Sequence, residues 1–187
     1  MPSLVGSEMC IRDRIFEAQT EWIAPNNFPD LKGYKVISID LETRDPDLKS
    51  KGSGAVIGNG EIIGVAVAVD GWCKYYPFGH EGGGNLDKKR ILEWLKSVCA
   101  TEATKVFHNA MYDVCWLRSY GIEVKGHIID TMVMASLVNE NRMSYALNAL
   151  SWEYLGERKN ENILKEAAKN WGIDPKAELY KLPAMYV

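Results

Sequence analysis

Alternating strand and helix signals along the chain predict an α/β fold with a mixed β-sheet flanked by helices. Three features carry that expectation. Residues 34–41 (YKVISIDL) form a Val- and Ile-rich run bounded by Gly33 and a polar stretch, as a buried central strand requires. Asp70-Gly71 separates two further β-prone runs. From residue 87 onward, short apolar runs alternate with stretches of helical spacing that end in glycine.

Taken in order, the elements follow from local chemistry. After the strand over 34–41, residues 44–60 hold four glycines, a proline and many charges, and read as a long loop. The runs 62–69 and 72–77 flank Asp70-Gly71, a pair that favours a tight hairpin. Ile91, Leu92, Leu95, Val98 and Cys99 recur at helical spacing over 87–99, with Asn85 or Asp87 available to cap the start. A short strand is expected over 105–108 and a helix over 111–120, stopped by Gly121. A strand over 127–129 leads into a helix over 131–138. Ala146, Leu147, Leu150 and Tyr154 mark a helix closed by Gly156, and residues 162–171 mark another, also closed by glycine.

Composition bounds what such a domain does. The chain has 187 residues, 47% of them hydrophobic and 25% charged, which suits one globular domain able to bury its own core. Cys10, Cys73, Cys99 and Cys115 are scattered without a C-x-x-C pair, against a zinc ribbon or a disulfide framework and in favour of a reducing, cytoplasmic compartment. The net charge of −3 excludes a body that grips duplex DNA through a broadly basic surface. It leaves room for a site in which divalent ions, rather than lysines, meet phosphate. No apolar run approaches the roughly 18–20 residues of a membrane span. Residues 4–14 (LVGSEMCIRDR) fit nothing that follows and resemble the read-through of a sequencing adapter. The expected division is therefore a leader over 1–14, either non-native or a flexible native segment, and one domain over 15–187.

The chemistry is concentrated in acids at strand ends. Asp40 and Glu42 stand two apart in an extended segment, so both carboxylates project to one side of the sheet, where a divalent cation relieves their repulsion. At the next junction, His108-Asn109-Ala110-Met111-Tyr112-Asp113 leads from a strand into a helix. Asn109 and Asp113 are four apart and share a face; they also suit an N-cap and a first-turn acid. Asp130 closes the third junction and is followed by Thr131, a position that suits a helix cap or a residue supporting the site, with direct participation as the alternative.

In this order, I-D-x-E-T, a hairpin, H-N-A-x-Y-D and I-D-T resemble the DEDD superfamily of ribonuclease H-like 3'→5' exonucleases. Tyr76-Pro77, residues 80–86 (HEGGGNL) and residues 144–147 (SYAL) are most similar to the proofreading exonuclease domains of phage and bacterial family A DNA polymerases. The resemblance runs from about Thr20 to the end and implies two Mg²⁺ or Mn²⁺ ions held by Asp40, Glu42 and Asp113. It further implies that Leu41, Thr43 and Asn109 contact the terminal nucleotide or strand, with Tyr112 and Asp130 supporting the metal ligands. The implied partners are a single-stranded DNA 3' end and a polymerase domain on the C-terminal side. A catalytically inactive nucleic-acid-binding domain and a ribonuclease D-like RNA exonuclease are the alternatives. The family's third motif, Y-x-x-x-D, does not occur: Tyr154, Tyr180 and Tyr186 have no aspartate four positions on. The expectation is a chain that stops short of that motif and has impaired activity.

Overall fold

The computed structural model describes residues 20–187, so the leader expected over 1–14 lies outside the described residues. The elements are β1 (Val36–Arg44), α1 (Gly54–Ile57), β2 (Glu61–Val69), β3 (Trp72–Pro77), α2 (Lys88–Cys99), β4 (Thr104–Phe107), α3 (Ala110–Ser119), β5 (Ile128–Asp130), α4 (Thr131–Val138), α5 (Leu147–Leu155) and α6 (Asn162–Trp171). Short 3₁₀ turns at Leu179–Lys181 and Ala184–Tyr186 follow. The five strands lie in the order β3-β2-β1-β4-β5. β1, β2 and β3 pair antiparallel, and β1-β4 and β4-β5 pair parallel. This is the mixed sheet expected of the sequence.

Two expectations are corrected. β1 runs past Leu41 because Glu42, Thr43 and Arg44 go on pairing with β2, across a bulge where Glu42 faces Gly64 and Thr43 faces Ile62. The stretch 44–60, expected as loop throughout, contains the single turn α1, whose first N–H, that of Gly54, donates to both Asp45 carboxylate oxygens at 3.1 Å. The other elements fall within a residue or two of expectation, and Asp87, not Asn85, caps α2 by accepting from the Arg90 N–H at 2.7 Å.

The alternation of β1 divides the sheet into a core face and an open face. Ile37, Ile39 and Leu41 are buried against Ile91, Leu95 and Val98 of α2 and Trp116 and Leu117 of α3, while Ser38 and Asp40 point the other way. Ahead of β1, the chain is strapped to the core by an aromatic group. Tyr76 and Trp94 rings lie 4.6 Å apart with Phe28 stacked on Tyr76, and the Trp94 indole and Tyr76 hydroxyl donate to the carbonyls of Pro29 and Asn27.

His80 and the glycine run after it tie the end of β3 to the C-terminal segment. The His80 N–H donates to Asn85 Oδ1 at 2.8 Å, and the Asn85 amide donates back to the His80 carbonyl at 2.6 Å. Glu81 N–H donates to the Tyr180 carbonyl and Ala184 N–H to the Gly83 carbonyl. A Cβ on Gly82 would sit 2.3 Å from the Pro183 nitrogen, so Leu182-Pro183 lies flat on the loop only because residue 82 has no side chain. His80 itself is 3% exposed, and burial pushes its pKa down to about 4.

A histidine held neutral in this way adds stability that is complete above its unfolded pKa and is lost as pH falls from 6.5 toward about 4. Chemical denaturation at pH 7 and pH 4.5 is expected to show the parent losing roughly 2–3 kcal/mol more between the two than His80→Gln, which cannot titrate there.

Candidate functional site

The site forms where the sheet splits. β1 and β4 pair only from Val36 to Ser38 on one side and Thr104 to Val106 on the other. Beyond that point β1 continues, whereas β4 ends and the chain turns into α3 through Asn109, whose φ of 68° is the one left-handed non-glycine conformation among the described residues. The Leu41 N–H is thereby left without a strand partner. Asp113, on the first turn of α3, fills the gap and accepts it at 3.0 Å with Oδ1. Such a crevice at the carboxyl ends of strands, beside a switch in strand order, is where ligands collect in open α/β sheets.

Asp40 and Glu42 stand beside this crevice on the open face, opposite Ala66 and Gly64 of β2. Burial raises the Glu42 carboxyl to about 7, and repulsion from Asp40 adds to it. Asp113, only 4% exposed, is also raised to about 7, first by burial and then by Asp40. Asp40 is raised by desolvation in the cleft, against the pull of Lys159 and then His108. All three carboxyls therefore carry a cost when ionised that a cation among them removes. Oxygen-only donors of this kind suit Mg²⁺ or Mn²⁺ better than zinc. As they stand, no three His, Cys, Asp or Glu side chains among the described residues close to metal-binding distance.

The remaining residues singled out from sequence fall around this group. Thr43 Oγ1 and the Tyr112 hydroxyl are 2.6 Å apart, and the Tyr112 hydroxyl donates to Asp45 Oδ2 at 3.1 Å. With its single proton so used, Tyr112 accepts from Thr43 and ties the end of β1 to α3. Leu41 is buried, with its backbone rather than its side chain at the crevice. Asn109 occupies the cap position of α3, but its side chain makes no capping bond. Asp130 caps instead. Its Oδ1 accepts from Asn109 N–H at 3.0 Å and Met132 N–H at 2.9 Å, its Oδ2 from Ala110 N–H at 2.8 Å, so one carboxylate serves the starts of both α3 and α4. Desolvation acts against its charge, but these backbone donors together hold its pKa below the usual range.

Some participants escaped the sequence reading. His108 Nδ1 lies 2.9 Å from Thr131 Oγ1, which donates to the Phe107 carbonyl, so Nδ1 carries the proton. Lys159, in the loop between α5 and α6, directs its charge at both Asp40 and Glu42, and its backbone N–H is held by Asn148 Oδ1. A cleft of about 620 Å³ opens beside Asp40, walled by Trp22, Tyr75, Phe107, His108, Thr131 and Leu147.

The strand order, with paired carboxylates at the split between β1 and β4, defines a ribonuclease H-like nuclease fold. The family model described as 3'-5' exonuclease matches residues 18–182, and the chain belongs to that family, the exonuclease domains of family A DNA polymerases. It is 36% identical over 175 residues to the DNA-directed DNA polymerase of Pseudomonas phage M6, covering 90% of this chain and 26% of that protein. With the DNA polymerase DpoZ of Salmonella phage PMBT28 it shares 30% identity over 147 residues, covering 78% of this chain and 21% of the relative. The chain thus spans about a quarter of the length of the polymerases it matches. Its fold is shared by solved structures, two of which are instructive. The Pol1 polymerase of M. smegmatis, solved with a DNA primer-template and dNTP, superposes with a TM-score of 0.51 at 19% identity, over 79% of this chain and 23% of that one. Brucella melitensis NrnC with bound Mg²⁺ gives 0.51 at 14% identity, over 84% of both chains. No helix among the described residues is long and apolar enough to cross a membrane.

Because Asp130 holds the start of both helices, Asp130→Ala is expected to destabilise the domain by roughly 2–3 kcal/mol, two helix caps' worth. Asp130→Asn, which keeps acceptor oxygen but not charge, should recover part of that loss. Urea unfolding of the three proteins in parallel measures it.

Proposed function

We propose that this domain removes nucleotides from the 3' end of a single DNA strand by two-metal-ion hydrolysis, as the proofreading part of a polymerase whose synthetic domain lies elsewhere in the protein. The observation that carries the reading is Asp113 locked to the backbone of β1 beside the Asp40–Glu42 pair, which gathers three carboxylates at one crevice. Membership of the exonuclease family, and polymerase relatives roughly four times the length of the match, support it.

Asp40, Glu42 and Asp113 are the residues that would hold the ions. When bound, paired divalent cations supply Lewis-acid charge, lower the pKa of water and neutralise the charge that builds on a leaving oxygen. The chain's own part is to place and desolvate those carboxylates. Asp40 acts electrostatically on both Glu42 and Asp113, so it would share with either of them in holding an ion. Leu41 and Thr43 flank Glu42 at the mouth of the crevice, where a terminal nucleotide would lie, and Tyr112 fixes Thr43 against α3. The exposed Asn109 is placed to meet the strand that leads away. Lys159 brings positive charge toward a site that would accept phosphate, and the cleft beside Asp40 has the volume for a nucleotide-sized group.

The test is degradation of a 5'-labelled single-stranded DNA by this chain and by a version extended with a C-terminal helix carrying Tyr-x-x-x-Asp, each with Mg²⁺ and with chelator. The extended protein is expected to shorten the DNA stepwise from its 3' end, only with metal, and at least about 10³-fold more slowly as Asp40→Ala. Shortening that survives chelation or the Asp40 substitution, or none from either protein, counts against the reading.

A further inference from the structure

Glu42 is unusual among the β1 residues in what faces it across the sheet. Its partner on β2 is Gly64, which has no side chain to limit its rotamers. The space is taken instead by Tyr75, one strand further out. A Cβ on Gly64 would lie 2.1 Å from the Tyr75 hydroxyl and 2.4 Å from its ring carbon Cζ, so the phenol leans across β2 and ends where the missing side chain would begin. Paired Cβ positions are about 5 Å apart, which brings that hydroxyl within reach of the Glu42 carboxylate.

The Tyr75 hydroxyl is 2.7 Å from His80 Nε2, and His80 Nδ1 is 3.1 Å from the Leu182 carbonyl. A carbonyl only accepts, so Nδ1 carries the hydrogen of the neutral ring and Nε2 must accept. Tyr75 therefore donates to His80 and shows only lone pairs to Glu42. Against the ionised carboxylate that a bound cation would require, such an acceptor is repulsive and favours rotamers directed away from β3, toward Asp40 and Asp113.

We infer that Tyr75, held by His80, is a positioning residue for Glu42, steering its carboxylate toward the other two carboxylates and so preparing the site for a divalent cation. The chain of bonds continues through His80 to Leu182, so the seat of the C-terminal segment on the glycine loop is linked to the orientation of Glu42. Burial of Tyr75, and the raising of its pKa by Glu42 and Asp40, fit a phenol packed beside these acids. The inference rests on the reading of Asp40, Glu42 and Asp113 as metal ligands.

The experiment measures Mn²⁺ affinity, from the electron paramagnetic resonance of the free ion, alongside the melting temperature in chelator. The proteins are the parent, Asp40→Ala, Tyr75→Phe, His80→Gln, His80→Leu and the Tyr75→Phe/His80→Leu double variant. His80→Leu frees the phenol to donate to Glu42 and is expected to weaken Mn²⁺ about tenfold, with Tyr75→Phe about threefold weaker. The double variant should be no worse than Tyr75→Phe alone, since the harm of losing His80 passes through the phenol. Glutamine at residue 80 keeps an acceptor for Tyr75 and should bind within about twofold of the parent. If His80→Leu does not fold, the contrast between Tyr75→Phe and His80→Gln decides. Affinities within twofold of the parent for Tyr75→Phe, whatever its melting temperature, would make the pair merely structural and overturn the inference. A parent with no Asp40-dependent Mn²⁺ binding would overturn the metal site itself, and the inference with it.

Discussion

One hydrogen bond organises the site: Asp113 accepting the Leu41 N–H across the split between β1 and β4. Parallel pairing between these strands stops at Ser38, and a strand that continues alone must find other partners for its backbone. A carboxylate supplies one here. The bond orients α3, whose Trp116 and Leu117 then reach the core, and it places a third acid beside two others that the pleat has already put on one face. The same contact that closes the backbone of the sheet thus brings carboxyl groups together, at an electrostatic cost that a bound cation would relieve.

The surrounding bonds hold this arrangement from three sides. Asp130 gathers the first N–H groups of α3 and α4, which allows Asn109 to adopt its left-handed turn and send α3 sharply back over the sheet. Tyr112 takes the proton of Thr43 and gives its own to Asp45, fixing the end of β1 on the far side of the crevice. From below, Tyr75 and His80 connect the wall of the site to the C-terminal segment. Each of these is a polar group satisfied by a specific partner, so the surroundings of the carboxylates are themselves fixed.

Much of this was legible in the sequence because its signals are local. The Val- and Ile-rich run of β1, the Asp-Gly turn of the hairpin and the glycine-closed helices each carry their own chemistry, and the two-residue spacing of Asp40 and Glu42 fixes their shared face whatever surrounds them. What was hidden depends on tertiary contact. Lys105 is 0% exposed, its ammonium donating to the carbonyl and hydroxyl of Thr101 and to the Lys125 carbonyl, where a lone lysine in a strand reads as solvated. The charge of Lys159 acts on Asp40 and Glu42 through the fold, from a loop more than a hundred residues further along the chain. His80 gave no pattern to read, since its partners are Tyr75, five residues back, and Leu182, over a hundred residues on. The Val- and Ile-rich run that marks β1 stops at Leu41, and the pairing that carries the strand on to Arg44 is visible only with β2 laid beside it.

The most direct measurement is anomalous diffraction from crystals of the domain soaked in Mn²⁺. Ion density about 2.1 Å from carboxylate oxygens of Asp40, with Glu42 or Asp113 completing the same coordination, is the expected result. Ordered Mn²⁺ elsewhere on the protein with none at Asp40 would contradict a metal-dependent site at the split between β1 and β4.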